Sequence, residues 1–155
     1  MRLTEPQQLV LRDAVATAQA VPGLAERVDA VYAEVQQAID ARRPRCDVSG
    51  RCCQFEKFGH LLFVTTIELA AFDLRRPAND EPDGDGCRYQ INGRCTAHAV
   101  RPFGCRIFFC DPTAEGWQEE QYELFHTRLK RLHNELGVPY LYVEWRQGLR
   151  VLRGR

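Results

Sequence analysis

Seven cysteines, all lying between Cys46 and Cys110, are the residues of this 155-residue chain whose chemistry is most evident. They fall into three groups, CDVSGRCC from Cys46 through Cys52 and Cys53, CRYQINGRC from Cys87 to Cys95, and CRIFFC from Cys105 to Cys110. Thiolates are soft donors that select zinc, Cu(I) or iron–sulfur clusters. One tetrahedral zinc or one [4Fe–4S] cluster takes about four such ligands. Seven thiols therefore fit either one site with thiols to spare or, with His98 as an eighth donor, two closed zinc sites. Buried cysteines can also serve as small hydrophobes, but these sit among Gly, Arg and Asp rather than in apolar stripes. The chain starts MRLTEPQQLVLRD, with no apolar signal region. A cytoplasmic, reducing setting and the odd count argue against a disulfide framework. The expectation is metal ligation.

Arginines crowd the same stretch at positions 42, 43, 45, 51, 88, 94, 101 and 106. Guanidinium groups there could balance thiolate charge or donate to sulfur, or lie solvated on the surface. Other chemistries lack their signatures. No P-loop, dinucleotide-binding glycine pattern, HExxH or nucleophile elbow is present. Lys plus Arg and Asp plus Glu are 21 each, and that balance argues against nucleic acid as the main partner. Hydrophobic residues at 45% and charged ones at 27% suit a soluble globular domain, and no apolar run is long enough for a membrane helix.

The order Cys, Cys-Cys, then Cys…Cys, then Arg101-Pro102-Phe103-Gly104-Cys105-Arg106, together with Thr65-Thr66-Ile67-Glu68, resembles the YkgJ-like cysteine-cluster family, described as a zinc- or iron-chelating domain. The likeness covers about residues 46–110. Five residues separate Cys46 from Cys52 where the family usually has CxxC or CxxCxxCC, and His98 stands where an aromatic residue is common. The resemblance implies chelation of zinc or iron and marks Cys105, Arg101 and Arg106 as site residues. One branch is similar to flagellin lysine methylases; with no methyl-donor motif here, that activity is not carried over.

The surrounding elements must position these groups, and the pattern predicts one mostly helical α+β domain over residues 1–155 with a cysteine-rich metal-binding centre and short β-hairpins. Residues 1–43 read as a helical hairpin. Thr4 and Pro6 open its first helix, Val21-Pro22-Gly23 breaks it, and Leu24, Val28, Val31, Val35 and Ile39 form the stripe of the second. Residues 55–64 read as extended, and Thr65 with Glu68 as a capping box on a helix ending near Arg75. Residues 77–86 read as a solvated acidic loop without the EF-hand ligand pattern. Residues 117–155 read as a long helix from Gln118 to Leu136, stopped by Gly137, and a terminal β-hairpin turning at Gln147-Gly148. His126 and His133 lie seven apart on that helix and are expected at its surface; His60 reads as a structural histidine.

Asn92-Gly93 predicts a two-residue hairpin turn. Its register sets Cys87 opposite His98 and Cys95 opposite Gln90, so a regular hairpin would send Cys87 and Cys95 to opposite faces. Either the pairing stops short of Cys87 or two sites share the hairpin. Cys105 and Cys110 can converge only if the segment between them turns. Three functions fit these residues: a protein that chelates zinc or an iron or iron–sulfur centre, a redox or protein-modifying metalloenzyme, and a zinc-stabilised module that docks a protein partner.

Overall fold

A computed structural model describes residues 2–45, 61–78, 84 and 86–154. Cys46, Cys52, Cys53, His60 and most of the acidic loop lie outside the described residues. The described chain is mostly helical with two small antiparallel sheets, an α+β arrangement. No helix among the described residues is long and apolar enough to cross a membrane.

Local signals start and stop the first two helices. Helix α1 spans Glu5–Gln19 behind a full capping box, in which Thr4 and Gln7 satisfy each other's backbone N–H. Gly23, at φ 73°, turns the chain into α2, Leu24–Arg42. That helix buries the predicted stripe of Leu24, Val28, Val31, Val35 and Ile39. Both helices pack on α3, Thr66–Arg75. Every residue of α3 from Thr66 to Phe72 is buried, so it is a central helix without a solvent face in that stretch.

Strand β1, Phe63–Thr65, leads into α3 and pairs antiparallel with β4, Tyr142–Glu144. Val64 faces Val143 in that pair, and both are buried. The pairing continues at both ends, where Thr66 N–H donates to the Leu141 carbonyl and Trp145 N–H to the Leu62 carbonyl. The second sheet is the Asn92-Gly93 hairpin, β2 Gln90–Ile91 against β3 Arg94–Cys95. Its register is the expected one, with Asn92 at φ 52° and Gly93 at φ 75°. A 3₁₀ turn at His98–Val100, the one-turn helix α4 at Phe103–Arg106 and a second 3₁₀ turn at Pro112–Ala114 follow. Helix α5 runs Glu115–Leu136 and ends on Gly137 at φ 67°.

The tail departs from the predicted β-hairpin. Strand β4 finds its partner in β1, and Trp145–Arg153 forms helix α6. Glu144 caps that helix by accepting from Gln147 N–H at 2.9 Å. Trp145, Gly148, Leu149 and Leu152 then face the core at helical spacing. Gly148 is no turn residue. It lets α6 approach α3, since a Cβ there would stand 2.9 Å from Leu69 Cδ2.

Candidate metal centre

The centre is organised from a buried carboxylate outward. Glu68 is only 3% exposed, although it belongs to the capping box of α3. One carboxylate oxygen accepts from the N–H and the hydroxyl of Thr65, both at 3.0 Å. The other accepts from Phe103 N–H at 2.8 Å and from the Tyr32 hydroxyl at 3.3 Å. Phe103 opens α4, the turn that carries Cys105 and Arg106. Glu68 thus ties α2 and α3 to the Arg-Pro-x-x-Cys-Arg string. Burial pushes its carboxyl above the ordinary range, against the opposing pull of the Thr65 and Phe103 donors.

The string is closed on itself by its two arginines. Arg106 Nε donates to the Arg101 carbonyl at 2.8 Å and its Nη2 to the Ala99 carbonyl at 3.3 Å. The guanidinium also lies 4.0 Å from the centre of the Tyr32 ring, a cation–π contact. Its charge is near enough to Cys105 for the two to interact electrostatically. Arg101 donates to the His98 carbonyl at 2.6 Å and lies 3.2 Å from His98 Nδ1. A guanidinium has no acceptor, so Nδ1 accepts and the neutral imidazole carries its proton on Nε2. Burial and the two arginine charges lower the His98 pKa, which keeps that ring neutral. Ligation through Nε2 needs the Arg101 pairing to open.

Gly104 serves space rather than backbone angle, for a Cβ there would run into the Leu62 side chain. On the same side, Cys105 forms part of a mostly apolar cleft of about 320 Å³ whose walls include Leu61, Phe63, Phe108, Tyr122 and Tyr142. The Tyr122 and Tyr142 hydroxyls hydrogen-bond to each other, and Tyr122 stacks on Phe103.

Cys87, Cys95, Cys105 and Cys110 are all half-buried, and none is in a disulfide. Ladder pairing stops at Gln90 and Cys95, so Cys87 leaves the hairpin before alternation would assign it a face. A turn replaces the strand there, with Gln90 N–H donating to the Cys87 carbonyl at 3.0 Å. His98 lies on a 3₁₀ turn, no longer opposite Cys87 in a ladder. The segment from Cys105 to Cys110 does turn, since α4 ends at Arg106, is capped by Ile107, and an irregular stretch follows. Among the described residues, no group of three or more His, Cys, Asp or Glu comes together as a ligand set.

The last cysteine group is tied to the residue that precedes the first. Arg45, the neighbour of Cys46 in the chain, donates from its guanidinium to the Cys110 carbonyl at 3.1 Å. Its backbone N–H donates to Asp111 at 3.0 Å, and Arg42 donates to the Thr113 carbonyl at 3.0 Å. The Thr113 and Arg45 donors hold the Asp111 carboxyl down at about 2.

Two residues of the region carry no cysteine-like signal in the sequence. The Trp145 indole N–H donates to Cys87 Sγ at 3.5 Å. His133, expected at the surface, is fully buried instead. Its Nε2 accepts from Ile67 N–H at 3.3 Å, near the start of α3, and its Nδ1 donates to the Leu129 carbonyl at 2.7 Å. It is a structural histidine. Tyr140 stands between it and His126, edge-on to His133 and hydrogen-bonded to His126 Nε2 at 2.8 Å. No family model, curated protein or solved structure matches the chain.

Proposed function

We propose that this chain is a cytoplasmic, YkgJ-like metal-binding protein that chelates zinc or an iron–sulfur centre through cysteine thiolates. The ligands would be drawn from Cys46, Cys52, Cys53, Cys87, Cys95, Cys105 and Cys110, with His98 as the one imidazole candidate. The observation that carries this reading is the tie between Arg45 and Cys110. It brings the chain entering the first cysteine group to the last group, although the two residues are 65 positions apart. The donor chemistry fits as well: soft sulfur ligands, with Arg106 near Cys105 to offset negative charge. Bound there, zinc would supply structural cross-linking and a cluster would supply electron transfer. Arg101 and Arg106 would act from outside the ligand set, holding the Cys105 turn in shape.

A second reading, a metalloenzyme, is favoured by the cleft at Cys105. Apolar walls and a few convergent hydroxyls beside a candidate ligand are what a small-molecule site requires. One preparation tests both. The protein is purified anaerobically and assayed for zinc, iron and acid-labile sulfide, and its absorbance is recorded. Brown protein with sulfide identifies a cluster, and colourless protein with stoichiometric zinc identifies zinc. Protein free of all three, and unable to take up zinc or iron, overturns the proposal.

A further inference from the structure

We infer that the cleft beside Cys105 binds a small organic ammonium ion with an aromatic body, its charge met by Glu119 and its body by the rings of Phe63, Phe108 and Tyr142. This gives the cleft a ligand class without calling on a metal or on any thiol, so it stands apart from the chelation reading.

The argument starts from three rings left in water. Phe63 is 38% exposed, Phe108 40% and Tyr142 41%, and all three line the same cleft of about 320 Å³. Single apolar residues at a surface need no account, whereas large ones gathered around one concavity mark a place where apolar matter binds. Strand alternation sends two of them there. Phe63 and Tyr142 stand on one face of the β1–β4 pair with ring centres 5.3 Å apart, while Val64 and Val143 take the other face into the core. The Tyr122 and Tyr142 hydroxyls hydrogen-bond to each other at the wall, which leaves Glu119 as the charged group of the lining.

Charge decides the kind of ligand. Among the described residues, the cleft is lined by the Glu119 carboxylate and by no lysine or arginine. No hydrogen bond or ion pair joins Glu119 to another described residue. The helix dipole does not account for it, since Glu115 occupies the first turn of α5 and Glu119 lies beyond that turn. From Glu115 to Thr127 the helix carries Glu115, Glu119, Glu120 and Glu123 and no lysine or arginine, so the potential on this side is negative. Aromatic faces are negative as well, and they attract a cation held within about 6 Å of the ring centre. An anion would be repelled by both the carboxylate and the rings. A neutral aromatic molecule would use the rings alone. An ammonium ion on an aromatic body satisfies the whole lining.

The test separates charge from shape. Phenethylammonium is titrated into the full-length protein and followed by amide NMR shifts, beside 2-phenylethanol as its neutral counterpart and 3-phenylpropanoate as its anionic one. The expected result is saturable binding with a Kd of about 1 mM or tighter, reasonable for so small a ligand. Shifts should centre on Phe63, Phe108 and Glu119, and affinity should fall from ammonium to alcohol to carboxylate. Glu119→Gln changes an exposed side chain and should weaken phenethylammonium about threefold while leaving 2-phenylethanol unchanged. Phe63→Leu, which keeps apolar bulk and removes a ring, should weaken phenethylammonium by about the same factor. Failure to saturate, shifts centred elsewhere, carboxylate binding as tight as ammonium binding, or unchanged ammonium affinity in either variant overturns the inference. None of these outcomes bears on chelation, which the analysis for zinc, iron and sulfide decides separately.

Discussion

The carboxylate of Glu68 and the backbone N–H of Phe103 meet at 2.8 Å, both buried, across 35 positions of chain. That bond joins the start of the central helix to the start of the turn bearing Cys105. It converts a local capping box into the anchor of the candidate centre.

Replacing Glu68 by Gln should expose the anchor's weight. Both Glu68 oxygens accept, and Gln must turn an NH₂ toward one pair of donors, leaving buried groups unsatisfied at about 1–3 kcal/mol each. The expected outcome is a destabilisation of about 2 kcal/mol in urea unfolding and faster alkylation of Cys105 by peptide mapping. Burial raises this carboxyl above 4.5, so its contribution to stability is complete below 4.5 and is lost as pH rises through the folded-state pKa. The deficit of the Gln variant should accordingly be largest in acid and shrink toward neutrality. Wild-type stability and Cys105 reactivity in the variant would refute the anchor.

His133 should impose the opposite pH dependence. Burial lowers its pKa below 6.5, against the opposing pull of the Leu129 carbonyl, and its Nε2 accepts from the Ile67 N–H. The unfolded chain therefore takes up the proton first. Stability from this group is complete above 6.5 and falls as pH drops through 6.5 toward the folded-state pKa. His133→Gln, which retains an acceptor, should flatten this slope between about pH 7.5 and 5.5 in urea titrations. An equally steep slope in the variant would assign the effect to other groups.

Gly148→Ala should destabilise the protein although Ala is the better helix former. Propensity favours Ala by about 1 kcal/mol. Against that, the new Cβ would stand 2.9 Å from Leu69 Cδ2 and 3.4 Å from Leu69 Cδ1, and Leu69 is fully buried. Overpacking a tight contact costs about 1–3 kcal/mol, so the clash should win by about 1 kcal/mol. A rise in melting temperature would mean that α6 is free to shift away from α3.

Chelation should loosen the middle of the chain before its helices. The stretch from Cys87 to Cys110 consists of two-residue strands and single turns, whereas α1, α2 and α5 bury continuous apolar stripes. A metal held by that stretch would be coupled to its folding. Hydrogen exchange on chelator-treated protein should show protection lost first over residues 87–110. Cys105→Ser should lower metal content sharply under a competing chelator. Full metal occupancy in that variant would remove Cys105 from the ligand set.

What could be read without coordinates was local. The Thr4 cap, the α2 stripe from Leu24 to Ile39, the Thr65–Glu68 box, the Asn92-Gly93 turn and its register, and the Gly137 stop all depend on residues within a few positions of one another. Their physics travels with the sequence, because capping, periodicity and left-handed backbone need no distant partner. The cysteine groups were visible for the same reason, since the capacity of a thiol to act as a soft donor is a property of the side chain.

Tertiary structure decided which of two local readings won and where long-range partners met. The Tyr140–Leu152 tail has enough apolar residues for a strand pair, yet β4 pairs with β1, and Glu144 caps a helix whose Leu149 and Leu152 face the core. His133 lies on the helix face expected to be exposed, but the start of α3 covers it and supplies the N–H it accepts. The bonds from Glu68 to Phe103, Arg45 to Cys110 and Trp145 to Cys87 join positions 35, 65 and 58 apart. No periodicity encodes such contacts. They exist because α1, α2 and α6 close around one buried helix, and that closure fixes which distant polar groups must satisfy one another.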